Sequence, residues 1–283
     1  MATPQEPILE FKDVSLKFGE TWALRSVSLS LKPGETRIIF GSAGAGKTTL
    51  LKAVIGLVAV DTGDISLFGR EVASAKEADL FPLRARAGVL FQEGGLFDSL
   101  TVGENVEYPL INQMSNQKSN RASNLIGADT QERAKDALTF VELGHTFNQF
   151  PSELSGGMRR RVGIARAIVT EPPLVLYDSP TAGLDPITAN TIMALVAKER
   201  DVRNSASLIV THRYQDGEIM SDFRYDQEQG ELVALGDGKD QALRDRTKFI
   251  VMKEGSVVFF GTKQELEASS DVYVQRFVRH GDE

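Results

Sequence analysis

The 283-residue chain is 41% hydrophobic and 25% charged, which is enough for one large α/β domain or a main domain with a smaller lobe. Its net charge of −7 argues against nucleic-acid binding, which needs a basic surface, and zero cysteines exclude disulfides and zinc–thiolate sites. The longest apolar stretch, 50–60, is broken by Lys52 and is too short to span a bilayer. Because residues 1–11 also lack a secretory signal, we expect a cytoplasmic protein.

Two stretches of alternating apolar and polar residues, 8–18 and 22–31, predict half-buried strands at the N-terminus. Phe18 lies at the end of the first strand, immediately before Gly19. An aromatic side chain at a strand end can stack on a nucleotide base, although packing at a sheet edge is the simpler interpretation of the pattern.

The stretch 37–57 changes from a β-branched and aromatic run to apolar residues at helical spacing. The residues between fit the phosphate-binding pattern G-x-x-x-x-G-K-[ST], and they are Gly41, Ser42, Ala43, Gly44, Ala45, Gly46, Lys47 and Thr48. Glycines let the backbone N–H groups turn inward around a polyphosphate, and the dipole of the following helix supports the same anion. Lys47 would contact the β- and γ-phosphates and the Thr48 hydroxyl would ligate Mg²⁺, so this stretch predicts a nucleotide site.

The next segments predict a strand at 64–68, a short helical connection at 80–87 and a strand at 89–91. The last of these strands delivers Gln92, whose amide oxygen can ligate Mg²⁺ or hold a water molecule. Thr101 and Glu104 have the spacing of a capping box, which predicts a helix start.

Beyond this helix, residues 112–124 are almost wholly polar and predict a mobile surface insertion. An amphipathic helix is expected over 132–143.

Ser155 precedes a stretch of helical spacing and can cap a helix there, while Gly156 and Gly157 leave the helix N-terminus open. The open N-terminus would form a second anion site, but from local physics alone an ordinary capped helix is the simpler interpretation. Four arginines on this helix suggest a solvated or lobe-facing side rather than nucleic-acid contact, and they are Arg159, Arg160, Arg161 and Arg166.

A continuous apolar run, 174–178, predicts a buried parallel strand that ends in Asp178, and this carboxylate would hold Mg²⁺ through water. A helix should follow with Asp185 as its cap, and a strand over 207–210 should place His212 at a similar strand end.

The remaining residues include a charged stretch, 224–248, that suggests a second insertion. After it, 249–252 and 256–260 predict a hairpin, and 263–278 predict helices.

The order of these elements over residues 8–278 resembles the ATP-binding subunits of ABC transporters. The resemblance rests on several motifs: GSAGAGKTT from Gly41 to Thr49, Gln92, LSGGM from Leu154, LVLYD ending at Asp178, AGLD ending at Asp185, and His212. It implies an α/β fold of the P-loop NTPase type, with a mainly parallel sheet core, an N-terminal antiparallel β region and a helical lobe. One ABC ATPase domain would then fill 1–283, with its core in 1–95 and 170–283, its lobe in 96–169 and insertions at 112–130 and 224–248.

The resemblance also implies roles for residues that local reading left open. Phe18 would stack on adenine, and Ser155, Gly156 and Gly157 would contact the γ-phosphate across a homodimer that sandwiches ATP and Mg²⁺. A separate permease would be the membrane partner, which places the chain on the cytoplasmic face of the inner membrane. Within the family, residues 91–110 together with Met158 look like the Mla and Mce group, whose ATPases energise lipid transport.

One residue departs from the family's pattern, because Ser179 follows Asp178 where a glutamate normally polarises the attacking water. Ser179 can orient water but cannot accept its proton near neutral pH, and a positioned base is worth about 10²–10⁴ in rate. One alternative is a site that binds ATP but hydrolyses it weakly. The other is slow turnover supported by His212, Gln92 and Mg²⁺. A soluble ABC protein without a permease and a nucleotide-gated clamp remain rival functions.

Overall fold

The computed structural model describes residues 6–92, 94–116, 123–236, 238 and 240–279, without the side chains of 114–128 and 279. The strands are β1 (Leu9–Phe18), β2 (Thr21–Leu31), β3 (Thr36–Gly41), β4 (Thr62–Leu67), β5 (Arg70–Glu71), β6 (Ala87–Leu90), β7 (Leu174–Asp178), β8 (Ala206–Val210), β9 (Phe223–Asp226), β10 (Glu231–Ala234), β11 (Thr247–Lys253) and β12 (Ser256–Gly261). The α-helices are α1 (Lys47–Val54), α2 (Glu77–Arg84), α3 (Val102–Asn116), α4 (Ser123–Phe140), α5 (Gly156–Ile168), α6 (Pro186–Arg203), α7 (Tyr214–Asp222), α8 (Gln241–Arg244), α9 (Lys263–Glu267) and α10 (Val272–Arg279). Short 3₁₀ turns occupy Gly144–Thr146 and Pro151–Glu153.

The strands form a six-stranded sheet, a four-stranded sheet and a small hairpin. The six-stranded sheet has the order β12-β11-β3-β8-β7-β6, in which β12 is antiparallel and the other neighbours are parallel. Its central strands β3, β8 and β7 are buried along their whole length, which explains the apolar runs 38–40, 208–210 and 174–177 within them. The four-stranded sheet, β2-β1-β4-β5, is antiparallel and contains the two N-terminal strands. The predicted fold class is therefore confirmed.

The two faces of the six-stranded sheet pack against different elements. On β7, Val175 and Tyr177 join the apolar cluster that includes residues of α3 to α6, whereas Leu174 and Leu176 join the cluster formed with α1 and the antiparallel sheet. Successive side chains of a strand point to opposite faces, so one short strand connects both cores. Helices α3, α4 and α5 contact one another on the first face, and they lie within the predicted lobe, 96–169.

Most predicted elements are present. The capping box at α3 is confirmed, since the Glu104 carboxylate accepts from Thr101 N at 2.7 Å and Thr101 Oγ1 accepts from Glu104 N at 3.2 Å. Helix α1 ends at Val54, earlier than expected, because Gly56 adopts φ +64° and turns the chain. Within the described ranges, every helix is too short or too polar to span a lipid bilayer.

Both segments predicted as insertions contain regular elements in their described residues, and their status as insertions stays a prediction. Helix α3 continues to Asn116 and α4 begins at Ser123, because polar residues extend helices whose inner turns are anchored in the core. Residues 117–122 of the predicted insertion lie outside the described residues. In the second segment β9 and β10 form a hairpin, and Tyr225 N donates to the Asp201 carboxylate at 2.8 Å. A short alternation of apolar residues in this hairpin was hidden by the surrounding charges.

Helix α6 carries a fully buried carboxylate, Glu199, with Arg203 Nη1 at 3.4 Å. Burial raises its pKa to about 7, with the Arg203 charge opposing the shift and Glu171 adding to it. A carboxyl whose pKa is higher in the folded than in the unfolded chain holds its proton in the fold. Stability from this group is therefore present near pH 5 and is lost as the pH rises through 7.

As the pH rises from 5 to 8, we expect the difference in unfolding free energy between Glu199→Gln and the parent to shift in favour of the variant by roughly 2 to 3 kcal/mol. The reason is that the parent's Glu199 ionises over this range, whereas Gln cannot. Urea unfolding of both proteins at the two pH values measures this difference, and other titrating groups cancel in the comparison. An equal stability gap at pH 5 and pH 8 would show that Glu199 does not titrate in this range.

Candidate functional site

The predicted site residues follow four strands that lie side by side in the six-stranded sheet. In the parallel registers Ile39 of β3 pairs with Val210 of β8, Val210 with Asp178 of β7, and Tyr177 with Leu90 of β6. The residues beyond these pairs leave the sheet along its carboxyl edge, where ligands bind in open α/β sheets. The segment 41–48, called the phosphate loop below, therefore belongs to one edge together with Gln92, Asp178 and His212.

The phosphate loop requires glycine at two positions because other chain segments approach it closely. A Cβ on Gly46, which adopts φ +100°, would lie 2.0 Å from the carbonyl oxygen of Ala23. A Cβ on Gly41 would lie 2.6 Å from the carbonyl oxygen of Met252. Helix α1 begins immediately after Gly46, so its free N–H groups face the loop as an anion site requires.

Lys47 curls back over this loop. Its Nζ donates to the carbonyl oxygens of Gly41 at 2.6 Å and Ser42 at 2.8 Å. Partial burial lowers the pKa of Lys47, while the charge of Asp178 opposes that shift. The ammonium is thus held at the mouth of the loop, where it would also donate to an arriving polyphosphate.

Thr48 and Asp178 come together although 130 residues separate them, since Thr48 Oγ1 donates to Asp178 Oδ2 at 3.1 Å. A hydroxyl and a carboxylate are hard oxygen donors that suit Mg²⁺, and Gln92 would add an amide oxygen from the end of β6. Among the residues that the structure describes, no group of three or more His, Cys, Asp or Glu side chains could hold a metal ion by itself. The residues fit an ion that takes one or two protein ligands and completes its shell with phosphates and water.

Ser179 lies beside this oxygen pair in a left-handed backbone conformation, φ +54°. Its N–H donates to the Val210 carbonyl at 2.9 Å, and its hydroxyl donates to Asp178 Oδ1 at 3.4 Å. The side chain at the position of the family's glutamate therefore faces Asp178 and brings no carboxylate of its own. His212 is exposed two residues beyond the strand end.

Sequence reasoning missed Asp216, a fully buried carboxylate in the first turn of α7. It accepts from the hydroxyls of Thr181 and Thr211 at 2.6 Å each and from Arg213 Nη1 at 3.1 Å. Burial raises the pKa of Asp216, and these hydrogen bonds oppose the shift. Asp216 therefore connects the segment after Asp178 with the strand end that carries His212. An acid four residues after His212 is the signal that could have pointed to it.

The second predicted anion site is a capped helix N-terminus, as the local interpretation expected. Ser155 Oγ accepts from Met158 N at 3.2 Å, and both Ser155 and Gly156 are exposed. Asp185 caps α6 in the same way, accepting from Thr188 N at 3.0 Å, and its hydrogen bonds to Thr188 lower its pKa. Helix α5 packs against α3, α4 and β6, whereas α1 packs against β3, β7 and β8.

The arginines of α5 range from exposed (Arg159) through half-buried (Arg161 and Arg166) to buried (Arg160), and their partners lie both inside and outside the predicted lobe, so this side of the helix is neither wholly solvated nor wholly lobe-facing. Arg159 donates to Leu154 O at 2.7 Å and Arg160 donates to Ala182 O at 3.1 Å. Arg166 donates to the carbonyl oxygens of Gly94 and Gly95 at 2.8 Å each. Guanidinium groups thus satisfy loop carbonyls, including those that follow Gln92.

Phe18 ends β1 with 57% of its surface exposed. The strand-edge packing favoured by the sequence pattern therefore leaves its ring open to solvent. Its role as an adenine-stacking residue stays a prediction.

Comparison with known proteins identifies the family. A model of the ABC transporter family matches residues 24–182, more than half of the chain. Two solved structures resemble this one. The first is the dimeric ATP-binding cassette MJ0796 in a post-hydrolysis state bound to ADP and Pi, with TM-score 0.69, 28% identity and coverage of 90% of this chain and 98% of that one. The second is cbiO1 from Clostridium perfringens, part of the ABC transporter complex cbiONQ, with TM-score 0.73, 25% identity and coverage of 98% of each chain. The chain belongs to the ABC transporter family.

Curated relatives give a finer comparison. The methionine import ATP-binding protein MetN of Brucella abortus (strain 2308) is 39% identical over 206 residues, which are 73% of this chain and 53% of that protein. MetN of Corynebacterium efficiens is 36% identical over 276 residues, 95% of this chain and 67% of that protein. The chain spans about half the length of most of these relatives. They are methionine-import proteins, so they support the predicted ABC family and not the finer prediction of Mla or Mce lipid transport.

Proposed function

We propose that this chain is the ATP-hydrolysing subunit of an ABC transporter, which closes as a homodimer around Mg-ATP and drives a separate membrane permease. The observation that carries the proposal is the gathering of Lys47, Thr48, Asp178, Gln92 and His212 along one edge of the sheet. Phosphoryl transfer relies mainly on positioning and charge neutralisation, and this set of residues supplies both. Mg²⁺, when bound, would neutralise charge on the β- and γ-phosphates.

A groove between α2 and α3 supports a permease as the partner. It encloses about 270 Å³ and is lined by Phe81, Tyr108 and Arg166 among others. Phe81 and Tyr108, which are 47% and 45% exposed, line the same groove, and contiguous exposed apolar surface marks protein interaction sites. Since Arg166 also holds the loop that follows Gln92, a cytoplasmic helix of the permease in this groove would be connected to the nucleotide site.

Two cargo classes have support. Residues 91–110 and Met158 resemble the Mla and Mce group and support lipid, whereas the relatives named above are methionine-import proteins and support an amino acid. Co-purification from membranes would identify the permease, and the complex can then be reconstituted in phospholipid vesicles. Stimulation of its ATPase by a lipid-carrying partner protein supports lipid transport, and stimulation by L-methionine supports import. A chain that hydrolyses ATP but recruits no membrane protein would instead be the soluble ABC protein of the rival interpretation.

Replacing Lys47 with Ala tests the nucleotide site itself. We expect Lys47→Ala to abolish tight ATP binding, raising the Kd roughly 10- to 100-fold, because the loop loses its cation and charge-assisted hydrogen bonds contribute about 1.5–3 kcal/mol each. Calorimetric titration with Mg-ATP measures the Kd, and Lys52→Ala on the same helix is the control. Unchanged affinity in Lys47→Ala would contradict the assignment of the phosphate loop.

A further inference from the structure

A tyrosine from the last helix contacts the phosphate loop. The Tyr273 hydroxyl lies 3.2 Å from Ser42 N, 3.1 Å from Ser42 Oγ and 3.0 Å from Met252 O. One arrangement of hydrogens satisfies all three contacts: the tyrosine O–H donates to Met252 O and accepts from the N–H and the O–H of Ser42. This arrangement uses the single donor and both acceptor positions of the hydroxyl.

Ser42 also contacts the Lys47 ammonium. Its carbonyl oxygen accepts from Lys47 Nζ at 2.8 Å and from Ala45 N at 3.1 Å. Holding Ser42 at its amide and its side chain therefore fixes the direction of the carbonyl that orients Lys47. The path from Tyr273 to the Lys47 ammonium consists of two hydrogen-bonded steps.

Helix α10 is well placed to hold its tyrosine still. Asp271 accepts from Tyr273 N at 2.7 Å at the start of the helix, and Val274 is buried. Phe277 stacks on Phe40 with ring centroids 5.9 Å apart, and Phe40 belongs to β3, the strand that leads into the phosphate loop. Helix α10 thus contacts both the phosphate loop and β3, the strand before it.

We propose that Tyr273 is a positioning residue, through which helix α10 holds Ser42 and Lys47 in the geometry that binds nucleotide phosphates. The inference rests on the proposed nucleotide-binding function of the phosphate loop. It adds a residue near the C-terminal end that none of the sequence motifs includes.

The test is Tyr273→Phe, which keeps the ring and its packing against Phe277 and removes the hydroxyl alone. We expect the Kd for Mg-ATP to rise about 3- to 10-fold, as the loss of a hydrogen-bonded hydroxyl costs about 1 kcal/mol. Ser42→Ala should weaken binding as well, and the double variant should be weaker by less than the product of the two effects, because both changes break one contact.

Tyr214→Phe is the matched control. The Tyr214 hydroxyl donates to the Glu267 carboxylate at 2.6 Å, so this variant also removes one hydroxyl hydrogen bond near the C-terminal helices, and the lost partner lies on α9 instead of in the phosphate loop. We expect its Kd for Mg-ATP to stay within twofold of the parent. Urea unfolding of both variants shows whether their losses of stability are comparable.

Binding linkage gives a readout that a merely structural role would not change. If Tyr273 connects α10 to the phosphate site, Mg-ATP should slow amide hydrogen exchange in 272–279, and the slowing should vanish in Tyr273→Phe. Equal ATP affinity and equal protection in parent and Tyr273→Phe would refute this inference and leave the proposed function intact. A parent that does not bind Mg-ATP at all would refute both.

Discussion

The variant Ser179→Glu is expected to hydrolyse bound ATP at least about ten times faster than the parent in a single turnover, and up to 10⁴ times faster if the new carboxylate is well placed. In the proposed function the other groups that the reaction needs are already present. Thr48 and Asp178 are in contact, and Gln92 and His212 follow the flanking strands. An added general base would complete the set.

The local geometry supports this expectation. The Ser179 hydroxyl faces the Asp178 carboxylate at 3.4 Å, so a longer side chain from the same Cα starts beside the proposed metal ligands. The backbone at Ser179 is held by its N–H to Val210 O at 2.9 Å. Its φ of +54° is already unfavourable for serine, so glutamate there adds little further backbone strain.

Two controls separate a base from a change of size. Ser179→Gln has nearly the shape of the glutamate without its basicity and should leave the rate near that of the parent, and Ser179→Ala removes the hydroxyl alone. Steady-state turnover can hide the gain when product release limits it, so quenched single-turnover measurement is the appropriate experiment. If Ser179→Glu is no faster than Ser179→Gln, Ser179 does not occupy the position of the base.

The sequence could predict those parts of the site whose residues lie close together in the chain and form a short motif. The loop from Gly41 to Thr48 and the strand ends at Asp178 and His212 each combine a buried strand with a polar residue at its end, and parallel strands bring such ends together. The strands of the sheet core and the capped helices at Ser155 and Asp185 were likewise predicted, because each of them is signalled by a few neighbouring residues.

The contacts that sequence could not predict join residues that are far apart in the chain. Tyr273 meets Ser42 across 231 residues, and neither residue has a local pattern that names the other. Asp216 follows His212 by four residues, but only the folded structure shows that it is buried and bonded to Thr181, 35 residues earlier in the chain. The hairpin within 224–248 was not predicted for a different reason, because charged residues outnumber the few apolar ones that pair in it.

A second large effect is expected at Ser155, where Ser155→Arg should prevent the ATP-closed dimer. The exposed N-terminus of α5 belongs to the helical lobe, whereas Lys47 and Thr48 begin a helix packed on the other core. In the proposed sandwich, Ser155 meets the γ-phosphate held by the partner subunit. An arginine would fill the space of that phosphate, but it would leave each chain's own phosphate loop unchanged.

Light scattering with Mg-ATP measures the effect, since the parent should pass from a chain mass of 31.0 kDa to twice that value while Ser155→Arg stays monomeric. Ser155→Ala loses the helix cap, worth about 1 kcal/mol, and the hydroxyl's contact with the γ-phosphate, but it adds no bulk at the interface and should still dimerise. Asn148→Arg adds the same bulk and charge at another exposed point of the lobe and should also dimerise. Because Ser179 supplies no base, the closed dimer of the parent should persist long enough to be observed. A Ser155→Arg protein that dimerises like the parent would contradict the sandwich. A monomeric Ser155→Arg protein supports the sandwich when calorimetry shows that this variant still binds ATP.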